Sequence, residues 1–297
     1  MDRLVTEPNF FIVGAPKSAT TNISYYLMQH PDIFMPDNFE PYYFARLDVP
    51  ENFEREMIYD EKKYLDLFKK SKNSKAIGES SPVYLYCPNS AEDIKRSFPE
   101  SKIIISLRNP IEIAYSQYFS LKFMDFNDNL NFNELLDLNQ KQISKREFNI
   151  NSLLEAGFYS KHIKRFQKFF AEDQIKIVIF EEYIKNSTKT INSILDFLNI
   201  EEKIEFKNVP KNSFRVPRNS LTSSILNNSM LRKASRKFIP SLTRSKIGDS
   251  LLVKESSRPK LEQNLRKRLQ KIYDEDVKEL ELLLDRKLPW NDFDDQV

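Results

Sequence analysis

Glycine is scarce in this sequence. Four residues in 297 mean that each glycine marks a place where the backbone has a reason for it. Cysteine is scarcer still: the lone Cys87 excludes an internal disulfide and a cysteine-built zinc site, and no metal site is expected. One thiol suits a reducing compartment, so the expected location is the cytoplasm. No run approaches the roughly 18–20 apolar residues that a membrane helix requires. The first eight residues carry both signs of charge and do not read as a secretory leader. Excess charge is lacking as well: 46 Lys and Arg against 43 Asp and Glu leave +3, too little to imply a nucleic-acid partner. Only His30 and His162 could serve as a histidine base, so those candidates can be taken one by one.

What is present is alternation. "NFFIV" at 9–13, the weaker "KAI" at 75–77, "KIIISL" at 102–107 and "QIKIVIF" at 174–180 read as strands. The β-branched run at 102–107 is of the kind a parallel sheet buries on both faces. Helical spacing follows at 20–30, from Pro110, and at 160–170. Alternating strands and helices predict an α/β fold: three layers, a central parallel sheet flanked by helices, and a cleft at the strand C-terminal ends. No internal repeat or interdomain linker stands out, so 1–297 reads as a single domain. Residues 211–260 hold twelve Lys or Arg against only Asp249 and Glu255 and read as a basic, partly irregular region laid over it. Leucines at helical spacing then predict a C-terminal helix over 260–286.

The first strand ends in "GAPKSATT" at 14–21. A helix N-terminus exposes unpaired N–H groups and a partial positive charge, a natural seat for an anion. Lys17, Ser18, Thr20 and Thr21 add an amine and three hydroxyls, which together describe a cradle for a phosphate-like group. The alternative is plain helix capping by one of the hydroxyls. The common nucleotide loop G-x-x-x-x-G-K-[ST] does not match, since Lys17 is three residues after Gly14 with no second glycine. Nor does the strand at 102–107 lead to a Mg²⁺-holding Asp. It leads to Arg108, then Pro110 opens a helix with Ser116 two turns along. A cation at that place wants another anion; Arg108 and Ser116 could hold a second phosphate, or Arg108 could cap the sheet while Ser116 faces water.

"PKSATT" at 16–21 followed by "RNPIEIAYS" at 108–116 resembles the sulfotransferases that use 3′-phosphoadenosine 5′-phosphosulfate (PAPS). Their loops usually read P-K-[ST]-G-T-T and R-[ND]-P-x-x-R-x-x-S. "HPDIFMPDNFEPYYF" at 30–44 is similar to the H-P-x stretch leading to K-E-P-x-F-F in the carbohydrate branch. "GESSPVYLY" at 78–86 is similar to its E-[KA]-[ST]-P-x-Y-L, and Tyr273 through Trp290 to its closing helix and tail. Three departures stand out. Ala19 replaces the usual loop glycine, which would be strained if φ must be positive. Ile113 replaces a second arginine, and Ser80 a lysine.

The resemblance implies a P-loop-like sulfotransferase fold and transfer of SO₃ to an acceptor hydroxyl, on a carbohydrate or glycolipid, without a metal. It implies that Lys17 stabilises the leaving phosphate and that Ser18, Ala19, Thr20 and Thr21 bind the 5′-phosphate. Arg108 and Ser116 would take the 3′-phosphate, with Arg218 in the basic region as a further contact. The aryl and steroid branches use a histidine base with no match here; Glu40 stands where the carbohydrate branch carries its glutamate base. Glu79 is the reserve carboxylate, and Tyr84, with Tyr42, Tyr43 and Tyr86, could contact a sugar or belong to the core. Two rivals remain: a kinase with a shortened phosphate loop, and a nucleotide-binding protein without turnover.

Overall fold

The apolar runs become the middle of a sheet. The computed structural model describes residues 7–49, 57–71, 73–123, 130–207, 215–217, 253–255 and 258–294. Strands β1 (Phe10–Gly14), β2 (Ile33–Phe34), β3 (Ala76–Ser80), β4 (Lys102–Leu107) and β5 (Ile175–Ile179) form one parallel sheet in the order β2-β3-β1-β4-β5. Every residue of β1 and β3 is buried, because helices cover both faces. The chain passes from β3 across β1 to β4, so β1 and β4 are neighbours whose C-terminal loops open side by side.

Among the described residues the helices are α1 (Thr20–Leu27), α2 (Glu61–Asp66), α3 (Ser90–Ser97), α4 (Pro110–Phe123), α5 (Phe132–Ser144), α6 (Tyr159–Gln167), α7 (Phe180–Lys185), α8 (Ser187–Phe197) and α9 (Gln263–Leu283). Alternation along the strands sorts them into layers. Phe10, Ile12 and Ile104 pack with Ile23 and Leu27 of α1 and Ile191 and Ile194 of α8. Phe11, Val13, Ile103 and Ile105 share the opposite core with Ile94 of α3, Ile111 of α4, Phe166 of α6 and Leu269 of α9. Ile113, where a second arginine was expected from the resemblance, is fully buried in that second core. Burial of such a side chain contributes about 1.5–3 kcal/mol, so this face of α4 is packing rather than site.

The expected strands and helices are found within a few residues. The helix expected over 20–30 ends at Leu27, where the chain turns through His30 into β2, a strand too short to read from sequence. In the basic region, β6 (Arg215–Pro217) and β7 (Val253–Glu255) pair antiparallel. Arg218 lies outside the described residues.

Candidate active site

Two loops at the C-terminal ends of β1 and β4 form one surface. At Gly14, φ is +153°, and an added Cβ would lie 2.6 Å from Leu85 Cβ and 2.7 Å from the Pro82 carbonyl oxygen. Only glycine fits there. The pairing of β1 with β4 shifts register between Ile12 and Gly14, a bulge that re-aims the chain. Three hydrogen bonds then stitch the loop to β4 and the turn that follows it. Ala15 N donates to the Ser106 carbonyl at 2.6 Å, Ser106 Oγ to the Ser18 carbonyl at 2.6 Å, and Arg108 Nη1 to the Lys17 carbonyl at 3.1 Å.

The loop has the backbone of an anion seat. Lys17 and Ala19 both take φ 65°, and left-handed residues between right-handed ones are the geometry of anion-binding nests. Ala19 is thus the strained case anticipated from the missing glycine. Helix α1 starts at Thr20 with Ala19 as its N-cap and no side-chain cap, so hydroxyl capping does not explain the sequence. Instead Ser18 Oγ is buried without a hydrogen-bond partner, and Lys17 is exposed. An uncapped helix end, an orphaned hydroxyl and an amine fit a phosphate group.

Arg108 is set as firmly. Tyr159 Oη donates to its carbonyl at 2.7 Å. The following Asn109 is held by Glu181 (3.0 Å) and by Asp292 of the tail (2.7 Å), and its Oδ1 accepts from Ile111 N at 3.0 Å, capping α4. The guanidinium lies over Phe180, 4.5 Å from the ring centroid, and 3.8 Å from Glu112. Burial pulls its pKa down, opposed by Glu112 and reinforced by the nearby Arg258 cation. A partly dried cation of this kind binds an arriving anion strongly. Ser116, half-buried, is one helical turn beyond Glu112 on α4.

Arg258 was not singled out from the sequence, where it is one of twelve cations in the basic region. The structure pairs it with Glu112, over the Tyr115 ring at 4.9 Å. Arg266 of α9 also reaches Glu112, at 2.5 Å, and Asp292 at 2.6 Å. One carboxylate thereby gathers three arginines, from the turn after β4, the segment before α9, and α9 itself.

Glu40 is half-buried and accepts a hydrogen bond from the Tyr42 phenol. The loop carrying it is pinned to β3, since Ser80 N donates to the Phe39 carbonyl at 2.7 Å. Glu79 is fully buried. It accepts from Ser81 Oγ (2.6 Å), Tyr64 Oη (2.9 Å) and Tyr84 Oη (3.0 Å). Burial raises its pKa to about 7, against the lowering effect of the three hydroxyls. Glu79 and Tyr84, the residues expected to touch substrate, are both 0% exposed, and the Tyr84 hydroxyl also accepts from Phe44 N at 3.2 Å. Tyr42, Tyr43 and Tyr86 are buried as well, which makes this group core rather than a sugar platform.

Both histidines have interior partners. His30 Nε2 faces the Glu202 carbonyl at 3.0 Å while Nδ1 accepts from Asp32 N at 3.1 Å. His162 Nε2 faces the Glu155 carbonyl at 2.8 Å. Burial, then Arg165 and Lys161, push its pKa well below the usual range, keeping the ring neutral. Among the described residues no helix is long and apolar enough to cross a membrane.

A parallel sheet with a lysine-bearing loop after its central strand and an arginine turn after the next defines an α/β enzyme with both cations at the C-terminal ends of neighbouring strands. The Sulfotransferase domain family matches residues 7–281, and the chain belongs to that family. A sulfotransferase from Alicyclobacillus acidocaldarius is 28% identical with a TM-score of 0.71, over 96% of this chain and 98% of that one. Mouse sulfotransferase SULT7A1, solved with PAP, shares the fold at 14% identity and a TM-score of 0.50, over 91% and 84% of the two chains. Among curated proteins, the membrane-associated sulfotransferase kil1 of Dictyostelium discoideum is 33% identical over 126 residues, 42% of this chain and 26% of that protein. Mouse carbohydrate sulfotransferase 15 is 25% identical over 250 residues, 67% of this chain and 45% of that protein. The chain therefore spans less than half the length of these curated relatives.

Proposed function

We propose that the chain moves a sulfuryl group from PAPS to an acceptor hydroxyl on a carbohydrate or glycolipid, releasing 3′-phosphoadenosine 5′-phosphate (PAP). The sulfur–oxygen bond to the 5′-phosphate breaks and its electron pair stays on the phosphate. A new bond forms from sulfur to the acceptor oxygen, whose proton passes to Glu40. Lys17 stabilises the charge growing on the leaving phosphate, with the loop N–H groups, Ser18, Thr20 and Thr21 around it. Arg108 and Ser116 take the 3′-phosphate, joined by Arg258. The work is positioning and charge stabilisation, as in phosphoryl transfer.

The observation that carries this reading is the hydrogen bond from the Arg108 guanidinium to the Lys17 carbonyl, which makes the two anion seats one continuous surface. The carbohydrate acceptor rests on the likeness to mouse carbohydrate sulfotransferase 15. The test is incubation with radiolabelled PAPS and fractionated glycans, lipids and small alcohols. Lys17→Ala should abolish transfer. Glu40→Gln should slow it by about 10²- to 10⁴-fold, the usual contribution of a general base, with PAP affinity little changed. EDTA should have no effect; transfer from ATP that stops on chelation would identify a kinase instead.

A further inference from the structure

The stretch 39–44 is fastened at Phe39, Tyr42 and Phe44 to the end of β3 and the turn after it, and one fastening has a chemical consequence. Ser80 N holds the Phe39 carbonyl at 2.7 Å, Ser81 Oγ accepts from Tyr42 N at 3.1 Å, and Tyr84 Oη accepts from Phe44 N at 3.2 Å. Both hydroxyls also donate to the buried Glu79, at 2.6 and 3.0 Å. Held this way, Tyr42 adopts φ 55°, a left-handed conformation that is uncommon for a bulky side chain. Its ring is buried, 4% exposed, and its phenol donates to a carboxylate oxygen of Glu40. Left-handed backbone at a non-glycine residue persists where surrounding structure enforces it, and such residues cluster at active sites.

We propose that Tyr42 is a positioning residue for sulfuryl transfer: its phenol fixes the orientation of the Glu40 carboxylate, and the Ser81–Glu79 brace fixes Tyr42. This rests on the reading of Glu40 as the base. The position is the open one in K-E-P-x-F-F, so the resemblance assigns it nothing; the role comes from the contact. A base acts only when its lone pair is aimed at the acceptor proton, and small misplacements of catalytic groups cost large factors in rate.

Tyr42→Phe keeps the ring and removes the donor. With labelled PAPS and de-O-sulfated heparin oligosaccharides as the acceptor probe, or the fraction labelled in the acceptor screen, kcat should fall on the order of tenfold while KM for PAPS stays within about twofold. In a Glu40→Gln background the same change should alter the residual rate by less than about twofold, since the base it orients is gone. A purely structural tyrosine would slow both backgrounds equally. That result, or wild-type turnover in Tyr42→Phe, overturns the proposal. Full turnover in Glu40→Gln, or a wild-type chain that labels no acceptor, overturns the functional reading beneath it and is seen separately.

Discussion

Replacing Glu79 by glutamine should remove a pH-dependent loss of stability. The carboxyl is fully buried, and burial lifts its pKa from 4.5 to about 7. The folded-state value lies above the unfolded one, so the native protein binds the extra proton between them. Stability from this group is therefore complete below about pH 4.5 and declines as the pH rises through about 7. At 1.36 kcal/mol per unit the whole span is about 3 kcal/mol, most of which falls between about pH 5 and pH 8. Glutamine retains an oxygen that can accept from Ser81, Tyr64 or Tyr84 but carries no titrating proton. Urea unfolding of both proteins across that range gives the difference directly. Asp48 and Asp276, whose pKa values burial also raises, are present in both and cancel. The wild-type protein should lose roughly 2–3 kcal/mol relative to the variant on going from acid to alkaline buffer. Two curves that run parallel would refute the argument that Glu79 is buried at a cost its hydroxyls do not offset.

Ala19→Gly should stabilise the fold slightly, because relief of about 1–2 kcal/mol of left-handed strain exceeds the roughly 0.4–1 kcal/mol of added unfolded-state entropy; a lower melting temperature would contradict it. Gly14→Ala should destabilise by about 2–4 kcal/mol or prevent folding, since the new methyl meets Leu85 and the Pro82 carbonyl, and denaturation or soluble yield reports it. Arg258→Ala should weaken PAP binding on the order of tenfold by calorimetry, the worth of one charge-assisted contact; unchanged affinity would confine Arg258 to its contacts with Glu112 and Tyr115.

Much of this protein was legible in order of sequence. The runs "FFIVG" and "KIIISL" are apolar throughout because each is covered on both faces, so their strand state follows from local composition. Lys17 and Arg108 could be picked out because each stands where a strand runs into a helix, a junction that sequence marks with Gly14 and Pro110. Arg258 could not be, for nothing near it distinguishes it from its basic neighbours; its meeting with Glu112 spans 146 residues and exists only once α4 and the segment before α9 have packed.

The tyrosines divide on the same ground. Tyrosines clustered in sequence around two carboxylates read first as core, with a ligand platform as the alternative, because hydrophobicity does not say which way a ring points. Tertiary packing put Tyr43, Tyr84 and Tyr86 inside, turned Glu79 into a buried hub, and left the Tyr42 phenol against Glu40. Local chemistry determined where strands end and charges sit. Which of those charges face one another was decided by the crossing of the chain over β1, a long-range event that no short window of residues encodes.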